Sequence, residues 1–87
     1  MPAHTLFSKN TEVLFEKVVE KIGLSMIIGP GIVRRALAAV GADAKFATPI
    51  NYVHCLGALE QRLAAYMDPA TVSARVNEVR TLLQAWP

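Results

Sequence analysis

The fold is decided by residues 48–86, TPINYVHCLGALEQRLAAYMDPATVSARVNEVRTLLQAW. Two Pro residues divide this stretch, and each follows a residue whose side-chain oxygen can cap a helix, in Thr48-Pro49 and Asp68-Pro69. Pro suits the first turn of a helix because its missing N–H would have no intrahelical partner there. The stretch therefore predicts two helices, over about residues 49–67 and 69–86, with almost no loop between them.

Both of these predicted helices carry an apolar stripe with the spacing of one helix face. The stripes are formed by Tyr52, Leu56, Leu59, Leu63 and Tyr66 in the first, and by Val72, Val76, Val79, Leu83 and Trp86 in the second. Their matching spacings predict an antiparallel pair that packs along the stripes. Gly57 costs about 1 kcal/mol relative to Ala in the middle of a helix, so we expect a close helix crossing at that point.

The first half of the chain predicts two more helices. Leu14, Val18 and Ile22 recur at a spacing of four residues, which indicates an amphipathic helix over about residues 11–23 that is closed by a glycine. Pro30 marks the start and Gly41 the end of a shorter helix, over about residues 30–40.

The two connecting segments of this half are apolar. The residues from Leu24 to Ile28 fit either an extra helical turn or a connector, and in both cases we expect them to be covered. In the loop after the second helix, Phe46 is expected to anchor the chain to the core.

Length and composition favour one domain with apolar surface to spare. The 87 residues are 53% apolar and 18% charged, against typical values of about 45–50% and 25%. A small domain has little interior for such an excess, so we expect part of it to meet a partner, most commonly a second copy of the chain. The prediction is an all-α, bundle-like domain of four helices over residues 1–87, with residues 1–9 a flexible or loosely docked N-terminal segment.

Charge and cysteine content exclude several classes of protein. The net charge is +2 and the nine Lys and Arg residues are scattered, which excludes a basic tail and gives only a weak indication of nucleic-acid binding. Cys55 is the single cysteine, and with His4 and His54 it offers too few ligands for a zinc site. The uncharged stretches are shorter than the 18 or more apolar residues of a membrane span. We expect a cytoplasmic protein with no metal, no cofactor and no membrane contact.

The adjacent His54 and Cys55 invite an interpretation as a catalytic pair. Neighbouring side chains on a helix point about 100° apart, and no Asp or Asn is placed to orient the histidine. We therefore expect a buried or half-buried Cys55, a surface or capping His54 and no catalytic residues. Glu12, Glu16 and Glu20 share one helix face, which we interpret as a solvated face rather than half of a metal site.

Gly29-Pro30-Gly31, followed by Arg34 and Arg35, is the best candidate for an anion site. A helix N-terminus presents free N–H groups and a partial positive charge to an anion, and glycine lets a ligand approach the backbone. The stretch from Ile28 to Gly31, an apolar residue followed by Gly-x-Gly and a helix, resembles the helix-hairpin-helix motif of non-sequence-specific DNA-binding proteins. That resemblance implies contact of Gly29, Gly31, Arg34 and Arg35 with a phosphate backbone. The alternative is a structural helix start with solvated arginines.

Tyr and Trp on the helical stripes favour protein–protein contact, because they combine large apolar area with a polar group. We predict a non-enzymatic interaction or regulatory module that self-associates, as a homodimer, through apolar faces of the third and fourth helices. The expected interface residues are Tyr52, Leu59, Tyr66, Val79, Leu83 and Trp86. A small nucleic-acid-binding domain that uses the Gly29–Arg35 segment is the alternative, as is a monomer whose Trp86 closes the bundle.

Overall fold

Four helices form the fold, in a computed structural model that describes the backbone of residues 3–86 and the side chains of residues 10–86. They are α1 (Ala3–Ile22), α2 (Gly29–Ala38), α3 (Pro49–Leu63) and α4 (Pro69–Ala85). Each helix packs on the next, and α4 packs back on α1, so the four surround one core. The described residues contain no strand, and the prediction of an all-α four-helix domain is confirmed.

Pro49 and Pro69 mark the starts of α3 and α4, as predicted, but the Asp68 side chain makes no capping hydrogen bond at the start of α4. Thr48 and Asp68 have extended backbones at the N-cap positions, and a Pro follows each of them. The backbone N–H of Thr48 donates to Oδ1 of Asn51 at 2.8 Å, which is one half of a capping box. Helix α3 stops at Leu63 rather than near residue 67. It tightens there into a turn in which the N–H of Tyr66 donates to the Leu63 carbonyl.

Glycines in the left-handed conformation end α1 and α2. Gly23 has φ of 74° and Gly41 has φ of 76°, a region that other residues rarely adopt. After α2 the N–H of Gly41 donates to the Ala38 carbonyl and the N–H of Ala42 to the Leu37 carbonyl. This pair of bonds is a Schellman motif, and it confirms the predicted role of Gly41.

Helix α1 begins at Ala3, eight residues before its predicted start. Residues 3–9 contain neither Gly nor Pro, so nothing in them interrupts a helix. Thr11 therefore lies inside this helix. Its side chain is buried and its Oγ1 donates to the carbonyl oxygen of Lys45 at 2.9 Å, which ties α1 to the α2–α3 loop. Residues 1 and 2 and the side chains of residues 3–9 lie outside the described part of the chain, so loose docking of residues 1–9 stays a prediction.

The core lies on the helix faces that the apolar stripes predicted. Its members with at most 1% exposure include Leu14, Val18, Ile22, Val33, Ala36, Leu37, Tyr52, Cys55, Leu59, Leu63 and Val79. All four helices contribute to it, so the predicted contact between the α3 and α4 stripes exists as part of a common core. Burial of these side chains is the main stabilising contribution to a domain of this size.

The connector from Leu24 to Ile28 is non-helical, and the expectation that it is covered is wrong. Met26 is 76% and Ile27 92% exposed. The reason is the close approach of the helix ends on either side: Gly29 is buried, and a Cβ there would lie 3.2 Å from the Val19 side chain. Because α2 already contacts α1 at its first residue, the tip of the connector is directed outward.

Phe46 does not anchor the α2–α3 loop, contrary to expectation. Its side chain is 61% exposed, and the neighbouring Ala47 is buried in its place. The Lys45 carbonyl, two residues before Ala47, accepts a hydrogen bond from Thr11.

Candidate functional site

The residues predicted to form an interface lie mostly in the core of the single chain. Tyr52, Leu59, Val79 and Leu83 are between 0% and 6% exposed. Trp86 is partly buried against the core, and Tyr66, in the turn after α3, is 49% exposed. The apolar stripes of α3 and α4 thus pack against each other and the other helices, which leaves little of them for a partner.

The opposite side of α3 presents a second, exposed row of residues. We call it the α3 outer face; its exposed members are Ile50, Val53, His54, Gly57, Glu60, Gln61 and Ala64. Ile50 is 62% and Val53 49% exposed, and no charged residue precedes Glu60 in this helix. Large exposed apolar residues on one helix face are a feature of protein–protein contact surfaces. The signal was visible in the sequence, since Ile50, Val53 and Gly57 share one side of the helix opposite the core stripe.

Gly57 lies at the centre of the α3 outer face and has no close neighbour. A Cβ placed on it would meet no described atom within 4 Å other than its chain neighbours and the backbone of its own helix. The close crossing that we expected at Gly57 is therefore not made by the described part of this chain. Its backbone is helical and φ is not positive, so the conformation does not require glycine either.

A shallow depression of about 300 Å³ lies between the end of α3 and the start of α4. Glu60, Gln61 and Ala64 line it from the α3 side, and Pro69, Val72 and Ser73 from the α4 side. It therefore shares three residues with the α3 outer face, at the opposite end of that face from Ile50.

Only some of the groups in the predicted anion site are accessible to a ligand. Gly29 is buried and its N–H donates to the Ser25 carbonyl, while the N–H of Ile28 contacts the Ser25 hydroxyl. Arg34 and Arg35 are exposed. Residues 26–28, directly before α2, form a turn.

Arg34 is directed away from the start of α2, toward α1. Its guanidinium carbon lies 5.0 Å from the centre of the Phe15 ring, a cation–π contact. The two side chains border an open groove of about 760 Å³ that also has Phe46, Glu12 and Asp43 in its wall. Acidic and basic groups are mixed there, so the groove does not select an anion.

His54 and Cys55, the adjacent pair that the sequence predicted to be unreactive, differ in exposure. His54 is exposed, whereas Cys55 is 1% exposed, as the sequence predicted. Burial raises the pKa of the Cys55 thiol to about 11, because the thiolate would be poorly solvated there. Burial, with a smaller contribution from Cys55, also raises the pKa of Tyr52.

The chain matches no protein-family model, no curated protein and no solved structure. Within the described residues, no helix is both long enough and apolar enough to cross a membrane. No cluster of three or more potential metal ligands is found among those residues.

Proposed function

We propose that this chain is a non-enzymatic protein–protein interaction module that self-associates as a homodimer. The observation that carries the proposal is the α3 outer face, where Ile50 and Val53 are about half or more exposed on a helix surface with no charge before Glu60. Covering such a surface removes apolar area from water at about 25 cal/mol per Å². A second copy of the chain supplies a matching uncharged surface, and two-fold symmetry is the commonest way to bury it.

The state of the single cysteine supports a non-enzymatic role. A nucleophilic thiol has to be accessible and partly ionised at neutral pH, whereas Cys55 is buried with a pKa of about 11. The exposed His54 is the adjacent residue on α3.

The proposal is tested by the mass of the chain in solution and by one pair of matched variants. The wild type is expected to sediment at twice the 9.4 kDa chain mass at tens to hundreds of micromolar. Ile50→Glu is expected to sediment as a monomer, since it puts two buried, uncompensated carboxylates into the contact. Residue 50 lies in the first turn of α3, where an acidic side chain favours the helix, so loss of the dimer would not reflect loss of fold.

Ile27→Glu is the matched control. Ile27 is 92% exposed, and it lies in the α1–α2 connector instead of on the α3 outer face. This variant should keep the mass of the wild type. A wild type that stays monomeric over the whole range refutes self-association, and a dimer that survives Ile50→Glu refutes the α3 outer face as its contact surface.

Nucleic-acid binding through the Gly29–Arg35 segment receives less support. Arg34 is stacked on Phe15 and has Glu12 and Asp43 nearby, which reduces the positive field that phosphates require. Salt-dependent binding of duplex DNA that is lost when Arg34 and Arg35 become Ala would favour this alternative over the interaction module.

A further inference from the structure

We propose that the groove between α1, α2 and the α2–α3 loop binds a free aromatic amino acid. The ligand carboxylate would contact Arg34, its ammonium group Glu12 and its ring Phe46. This inference goes beyond the proposed self-association and does not depend on it, because no residue in the wall of the groove belongs to the α3 outer face. It combines unpaired charges of both signs, two aromatic rings and a volume that suits a small molecule.

The groove has the size and the construction of a small-molecule site. Its volume of about 760 Å³ lies within the range of about 300–1,000 Å³ that is usual for such sites. The wall consists of Glu12 and Phe15 of α1, Arg34 and Ala38 of α2, and residues 42–46 of the loop. The hydrogen bond from Thr11 to the Lys45 carbonyl holds this loop against α1.

The charged side chains of the wall are free to bind a ligand. Two cations, Arg34 and Lys45, and two carboxylates, Glu12 and Asp43, give it a formal charge of zero. The ion pairs among the described residues lie elsewhere on α1 and on α4, so none of these four side chains is in an ion pair. Oδ1 of Asp43 accepts a hydrogen bond from the backbone N–H of Lys45 at 2.9 Å, which leaves Glu12 as the carboxylate without an internal partner.

This distribution of charge favours a ligand that carries both signs. An anion would be attracted by Arg34 and repelled by Glu12, and a cation would meet the reverse. Residues three apart are neighbours on a helix surface, so Glu12 lies beside Phe15, whose ring centre is 5.0 Å from the Arg34 guanidinium carbon. A ligand with an ammonium group and a carboxylate on one carbon atom can therefore reach both side chains.

Arg34 is prepared to hold a carboxylate. A guanidinium group has five N–H donors and can bind both carboxylate oxygens at once. The contact with Phe15 restricts the conformations of the free Arg34 side chain, which lowers the entropy that binding costs.

Phe46 gives the reason for an aromatic ligand. Its side chain is 61% exposed at the edge of the groove. The small side chains of Ala38, Ala42 and Ala44 leave space beside it. An aromatic ring in that space can pack on Phe46 in an offset or edge-to-face arrangement.

The inference is tested with L-tryptophan and three derivatives that have the same ring. L-tryptophanamide lacks the carboxylate, N-acetyl-L-tryptophan lacks the ammonium group, and N-acetyl-L-tryptophanamide lacks both. Dissociation constants are measured from amide chemical shifts of the ¹⁵N-labelled protein, and the amides of residues 42–46 should shift. L-tryptophan is expected to bind in the millimolar range, about threefold more tightly than either singly charged derivative, because one exposed ion pair contributes up to about fivefold.

Two variants assign the charged contacts. Arg34→Gln should bind L-tryptophanamide at least as tightly as L-tryptophan, and Glu12→Gln should do the same with N-acetyl-L-tryptophan. A purely structural role of either residue would weaken all four ligands together. The controls Arg35→Gln and Glu16→Gln remove the same charges from exposed positions outside the groove, and they should keep the threefold preference for L-tryptophan.

Three results would overturn the inference. They are the absence of saturable shifts with L-tryptophan, equal dissociation constants for the four ligands, and an unchanged preference in Arg34→Gln and Glu12→Gln. The derivatives also represent a tryptophan at the start, at the end and in the interior of a peptide, so tighter binding of one of them would identify a peptide as the ligand instead of a free amino acid.

Discussion

Cys55 shows how burial decides the chemistry of a single residue. Its thiol has a pKa of about 11, against about 8.5 for an exposed cysteine. We expect iodoacetamide to alkylate the native protein at pH 8 more than tenfold more slowly than the urea-unfolded chain, because the thiolate is the reactive form. The measurement is mass-spectrometric labelling over time. Equal rates in the two states would contradict the burial of Cys55.

The raised pKa of Cys55 also determines how the free energy of unfolding changes with pH. The unfolded chain releases the Cys55 proton near pH 8.5, and the folded protein releases it only near pH 11. Between these values the unfolded state binds fewer protons, so the free energy of unfolding contributed by this group falls as the pH rises.

At the scale of the element, Asn51 is expected to stabilise the start of α3. Its Oδ1 accepts hydrogen bonds from the backbone N–H and from the Oγ1 of Thr48, at 2.8 and 3.1 Å. Asn51→Ala should lower the free energy of unfolding by about 1 kcal/mol, the typical value for a lost capping interaction. In urea unfolding the midpoint should fall.

Asn77→Ala is the control for this prediction. Asn77 is exposed in α4, and its Oδ1 accepts a hydrogen bond from Arg80 on the same surface. Its removal should change the free energy of unfolding by less than about 0.5 kcal/mol, as is usual for surface substitutions. Equal effects of the two substitutions would show that the Thr48–Asn51 bonds do not stabilise α3.

Helix boundaries could be predicted wherever a residue type strongly favours one backbone conformation. Pro49 and Pro69 mark helix starts and Gly23 and Gly41 mark helix ends through backbone geometry alone, so their positions could be derived from the sequence. Exposure of Ile27 and Phe46 could not, because it depends on how closely neighbouring helices approach each other.

The candidate site was predicted only in kind. The sequence indicated an apolar excess on α3, but a helix with apolar residues on two sides does not reveal which side the chain itself buries. Tyr52 and Leu59 proved to be core, whereas Ile50 and Val53 remained exposed. Which side of α3 is buried depends on how α1, α2 and α4 pack around the common core. The residue pattern of α3 alone does not specify that packing.

At the scale of the whole molecule, the two sides of α3 should separate stability from association. Leu59 is 1% exposed and packs in the common core, so Leu59→Ala should lower the free energy of unfolding by about 2–5 kcal/mol. That is a large part of the about 5–15 kcal/mol that holds a domain folded. The folded fraction should still form the proposed dimer, since Leu59 does not lie on the α3 outer face.

Ile50→Ala should give the opposite result. Its 62% exposed side chain contributes little to the fold of one chain, so unfolding measured at a concentration below the dimer dissociation constant should be nearly unchanged. Dimer formation should weaken, and the apparent stability of the wild type should rise with protein concentration more steeply than that of Ile50→Ala, because association stabilises the folded state by mass action. Parallel losses of stability and association in both variants would mean that the core and the contact surface are not separate, and that α3 folds only when it is paired.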